Sequence, residues 1–139
     1  MKYNYCIGID TGVDTGIAVW DRKIRKLTSV KTTSIHRAME TVLKMYKLDN
    51  CILVRVEDAR QRKWYGENVG KERLKGAGSV ERDAKIWEDF LRDWGISFDM
   101  VAPKDNKTKL DKNAFKRRTG YAKQTGVHGR DAAMLVFGY

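Results

Sequence analysis

At 139 residues with a single proline, the chain has room for one hydrophobic core and not for two ordinary domains. Hydrophobic residues make up 42% of it, which excludes a disordered chain, and no apolar stretch reaches the roughly 20 residues that span a bilayer. With 28 Lys and Arg against 18 Asp and Glu, the formal charge of +10 favours a polyanionic partner, nucleic acid above all, over a basic one.

Residues 5–10, Tyr-Cys-Ile-Gly-Ile-Asp, form an apolar run closed by a carboxylate, and a glycine-bearing turn over 11–16 leads into Ile17-Ala18-Val19-Trp20. This predicts a hairpin of two strands. A third strand over 26–32 would complete an antiparallel meander. Ser34 is placed to cap a helix to about Lys47, in which Ala38, Met39, Val42, Leu43 and Tyr46 repeat at three- and four-residue spacing. Residues 52–57 return to strand character, and the helical connection makes this strand parallel to its sheet neighbour.

Residues 61–78 lack periodicity, carry glycines at 66, 70, 76 and 78, and read as a loop. Ser79 then caps an amphipathic helix with Glu81 and Asp83 in its first turn and Val80, Ala84, Trp87, Leu91 and Trp94 on one face; Gly95 ends it. Residues 96–102 alternate as a short strand, Thr108 opens a basic helix through about Arg118, and a last helix starts near Val127. The order predicts a single α/β domain with a mixed five-stranded sheet flanked by helices. Cys6 and Cys51 both fall in apolar runs with no signal peptide ahead of them, and are expected as reduced core thiols of a cytoplasmic protein.

Four residues stand out as candidate metal ligands. Asp10 closes one strand and Glu57 another, while His128 and Asp131 are three apart and share one helical face. Glu57 is preferred over Asp58, which should face the other side of the pleat, although strand-end twist keeps Asp58 as the alternative. Such a set suits Mg²⁺, or Mn²⁺ where an imidazole takes part, and two ions about 4 Å apart would serve phosphodiester hydrolysis. Two basic groups accompany it: Arg60, Arg62, Lys63, Lys71, Arg73 and Lys75, then Lys104, Lys107, Lys109, Lys112, Lys116, Arg117, Arg118 and Lys123.

Ile7-Gly8-Ile9-Asp10-Thr11-Gly12, Thr15-Gly16-Ile17-Ala18, Val54-Arg55-Val56-Glu57 and His128-Gly129-Arg130-Asp131-Ala132-Ala133 occur in this order over nearly the whole chain. Together they resemble RuvC-type Holliday junction resolvases, and the compact length is similar to the bacteriophage forms. The resemblance implies a ribonuclease H-like fold and a homodimer that nicks four-way DNA junctions symmetrically. Asp10, Glu57 and Asp131 would take the acidic positions and His128 the last ligand position. It implies further that Lys109 stabilises charge on the scissile phosphate, and that Trp87, Phe90, Leu91 and Trp94 divide between core and subunit interface.

The chain departs from the family pattern after Glu57, where Asp58-Ala59-Arg60 stands in place of a base-contacting aromatic residue. Trp64 or Tyr65 would then stack on an unpaired base. The remaining basic residues would hold junction arms through phosphates. Two other functions stay open: a ribonuclease H-like nuclease for other branched, single-stranded or RNA-containing substrates, and a non-catalytic junction-binding module.

Overall fold

The computed structural model describes residues 2–61, 71–103 and 110–139, with the side chains of 71–77 outside the description. The chain runs β1 (Tyr5–Asp10), β2 (Thr15–Asp21), β3 (Lys26–Thr33), α1 (Ile35–Leu48), β4 (Ile52–Glu57), a short 3₁₀ turn (Ala59–Gln61), α2 (Lys71–Trp94), β5 (Ser97–Val101), α3 (Lys112–Thr119) and α4 (Val127–Met134). Its five strands form one mixed sheet in the order β3-β2-β1-β4-β5. The meander β1-β2-β3 is antiparallel, while β4 runs parallel to both β1 and β5.

Alternation along the central strands places an apolar layer on each face of this sheet. Ile7, Ile9, Val54 and Val56 pack against Ala38 and Val42 of α1 and against Trp87 and Leu91 of α2. Cys6, Ala18, Trp20 and Leu53 face the opposite way, onto Phe115 of α3 and Ala132 to Val136 at the end of α4. The result is three layers, with helices on both sides of the sheet. No described helix is long and apolar enough to cross a membrane.

Several expected boundaries shift. Residues 71–78 are helical and belong to α2, so Ser79 is no cap, and Glu81 and Asp83 lie inside the helix. Once the half bearing Trp87 and Leu91 is docked, extending the helix through Lys71, Glu72, Arg73 and Leu74 needs no new nucleus. Gly76 and Gly78 cost about 1 kcal/mol each, which good helix formers on either side tolerate. Ser34 does occupy the N-cap position of α1, but its hydroxyl makes no cap bond; it lies 3.3 Å from His36 Nδ1.

α3 starts at Lys112, where Asp111 accepts a hydrogen bond from the Ala114 N–H at 2.8 Å; Thr108 lies outside the described residues. Gly120, at φ 74°, closes that helix. Cys51 is exposed just ahead of β4, not buried within it, while Cys6 is buried as expected. Trp87 and Leu91 are core residues of this chain. Trp94, by contrast, is half exposed, with Lys47 Nζ 5.9 Å from its ring centroid.

Candidate active site

Pleat parity brings the first two carboxylates together. In β1, Asp10 follows Cys6 and Gly8 on the face that meets α4, and in β4 Glu57 follows Leu53 and Arg55 on the same face. Parallel pairing of Gly8 with Arg55 and Ile9 with Val56 continues to set Asp10 beside Glu57 at one sheet end. Asp58 turns the other way. Its buried carboxylate accepts from Arg60 Nε at 2.8 Å, from Arg60 Nη2 at 3.0 Å and from Gln61 Nε2 at 3.3 Å. The preference for Glu57 thus rests on which layer each side chain enters.

Two glycines set the height of α4 above the sheet. A Cβ on Gly8 would overlap the Ala132 carbonyl, and one on Gly16, the residue paired with Asp10 across β1 and β2, would overlap the His128 carbonyl. The helix therefore lies in backbone contact with the sheet, its first turn beside Asp10. His128 Nδ1 sits 3.0 Å from Asp10 Oδ2, and Asp131, one turn on, is buried. Arg130 fixes this helix end, donating from Nε to the Leu110 carbonyl at 3.0 Å and from Nη1 to the Thr125 carbonyl at 2.9 Å. Sequence reasoning passed over Arg130; the signal available was a cation between two candidate ligands and next to apolar alanines.

Electrostatics tie the four residues into one cluster. Burial is the chief cause that pushes the Asp10 carboxyl up to about 6, the hydrogen bond and charge of His128 oppose it, and the Glu57 and Asp131 charges reinforce it. Among the described residues, no three His, Cys, Asp or Glu side chains are grouped so as to hold a metal ion between them as they stand. As a donor set, three carboxylates and an imidazole are still the hard, oxygen-rich kind that Mg²⁺ and Mn²⁺ take. The like-charge crowding around Asp10 is also what a divalent cation offsets.

A stability profile follows in metal-free buffer. Because the Asp10 pKa is raised from 3.8 to about 6, the folded state favours the protonated acid; that advantage is full below pH 3.8 and is lost as pH rises through about 6. Asp10→Asn is therefore expected to stabilise the fold by on the order of 2 to 3 kcal/mol at pH 7.5 and hardly at all at pH 4. Denaturant titrations at the two pH values check it; an equal effect at both would contradict the assignment.

The basic residues divide. Arg60, expected as a phosphate contact, is engaged inside the protein: besides Asp58 it reaches Glu88 Oε1 of α2 at 3.1 Å, and its own pKa is raised by these partners. Burial works against the charge on Asp58, and the hydrogen bonds from Arg60 and Gln61 overcome it, so that carboxyl lies below its ordinary value. Arg60→Ala would leave Asp58, with a side chain 5% exposed, without its cation, at a cost of about 2 to 3 kcal/mol readable by urea denaturation. A cost below about 0.5 kcal/mol would mean that the pair is a surface ornament.

Lys116, Arg117 and Arg118 are exposed on α3. Lys71, Arg73 and Lys75 belong to the first turns of α2, their side chains outside the description. Arg62, Lys63, Trp64, Tyr65, Lys104, Lys107 and Lys109 lie outside the described residues. No protein-family model matches the chain, and a search of curated proteins returns no match either.

Proposed function

We propose that the chain is a metal-dependent endonuclease of the ribonuclease H-like kind that binds four-way DNA junctions as a homodimer and resolves them by paired, symmetric nicks. The observation that carries this reading is that Asp10 at the end of β1 is bonded to His128 of α4 and feels the charges of Glu57, at the end of the neighbouring strand, and of Asp131, on the same helix as His128. The mixed sheet order, with three antiparallel strands continued by two parallel ones, supports the fold assignment. The charge of +10 supports a nucleic-acid substrate.

Asp10, Glu57, Asp131 and His128 are the residues that would hold Mg²⁺ or Mn²⁺, which supplies activation of water and charge neutralisation at a phosphodiester. The chain's own part is to present these donors from rigid elements. Asp10 and Glu57 are fixed by strand pairing, and His128 and Asp131 by a helix seated on glycine. Asp10 is already bonded to His128, so ligand binding at Asp10 Oδ2 requires that bond to open and the acid to be ionised. Hydrolysis itself adds one water across a P–O bond, the hydroxyl ending on phosphorus and the proton on the departing oxygen.

A synthetic four-way junction incubated with the folded protein and Mg²⁺ or Mn²⁺ is expected to yield nicks at two symmetry-related positions. Equal cutting of flaps or RNA–DNA hybrids would broaden the substrate class. Intact strands under every metal condition would overturn the nuclease reading.

A further inference from the structure

Between α3 and the loop that leads into α4 lies a cleft of about 150 Å³. Lys112, Lys116 and Lys123 line it together with Asn113 and Gln124. Lys112 and Lys116 stand four apart on one helix, an arrangement in which like charges repel. None of the three lysines takes part in an ion pair among the described residues. Asp111, the nearest carboxylate in sequence, is turned to the helix end, where it accepts the Ala114 N–H. The cleft therefore gathers positive charge with no carboxylate among the described residues paired to it.

The seat is built on fixed parts. Phe115, buried beneath it, meets the Tyr121 ring edge-on at 6.5 Å between centroids, and the Tyr121 hydroxyl accepts the Val30 N–H at 3.3 Å, tying the loop to β3. Thr125, another wall of the cleft, receives Arg130 Nη1 on its carbonyl and lies three residues before His128. Three residues of chain span at most about 11 Å, so this wall of the cleft lies within that reach of His128.

From these observations we infer that the cleft is a phosphate seat, which takes a backbone phosphate of the DNA strand running into the active site. It rests on the nuclease reading given above and adds a position to it: two lysines of α3 grip the strand, whereas Arg117 and Arg118 of the same helix lie outside the cleft.

The test compares two double variants of equal charge loss, Lys112→Gln/Lys116→Gln and Arg117→Gln/Arg118→Gln, in metal-free buffer with a synthetic four-way junction. The lysine pair is expected to lower the slope of log affinity against log salt by about 1, and to weaken binding about tenfold at 0.1 M salt. The arginine pair should change either quantity by less than half as much. Equal effects in the two variants would overturn the seat and leave a diffuse basic surface.

Inorganic phosphate titrated into the wild-type protein, followed by amide NMR shifts, separates this inference from the nuclease reading and decides it should the lysine variant not fold. Shifts confined to α3 and residues 120–125 support the seat, even if the junction is not bound. No shift, or shifts spread over the surface, would remove it.

Discussion

Asp10→Asn and Glu57→Gln are each expected to slow metal-dependent junction cleavage by about 10³-fold or more, with junction binding in metal-free buffer retained or tightened. The size follows from what a carboxylate does at such a centre: losing several kcal/mol of transition-state charge stabilisation is a rate loss of that order. The direction of the binding change follows from the crowding at Asp10, where Glu57 and Asp131 already raise the cost of its charge. Phosphate adds negative charge there, so deleting one carboxylate relieves repulsion.

Asp58→Asn is the informative control. Asp58 adjoins Glu57 in sequence but faces α2 and pairs with Arg60, so its change should cost stability and leave the cleavage rate per folded molecule within about tenfold. If Asp58→Asn abolished cleavage while Glu57→Gln did not, the parity argument that picks Glu57 would be wrong.

What the sequence disclosed here was periodic. Asp10 and Glu57 each end a strand whose apolar residues alternate with a period of two, so their shared face could be derived once the strands were recognised, and His128 and Asp131 follow from helical spacing. Contacts between distant segments were not legible. Asp10 and His128 are 118 positions apart, and nothing local to either announces their hydrogen bond. Arg60 illustrates the same limit. In a run of basic residues it resembles a phosphate contact, and only the placement of α2 reveals Glu88 as its partner. The start of α2 was hidden because two glycines broke the pattern that tertiary docking restores.

Gly16 carries the second large effect, and it couples fold to site. In the sequence it looks like a turn residue, yet its role is to admit a helix: the space a Cβ would need is taken by the His128 carbonyl. A side chain can rotate away from an intruding methyl group, but a backbone carbonyl inside α4 cannot, so Gly16→Ala must lift the first turn of the helix from β2. The expected cost is about 3 kcal/mol, the upper part of the range for overpacking. Gly78→Ala provides the contrast. A Cβ there meets nothing within 4 Å in the middle of α2, and alanine should stabilise the helix by about 0.5 to 1 kcal/mol. Because the lifted turn carries His128, cleavage per folded Gly16→Ala molecule should also fall, and the raised pKa of Asp10 should move as its hydrogen bond is lost. Equilibrium unfolding of both variants beside wild type measures the difference, and a Gly16→Ala protein as stable as wild type would mean that α4 does not rest on the sheet through this glycine.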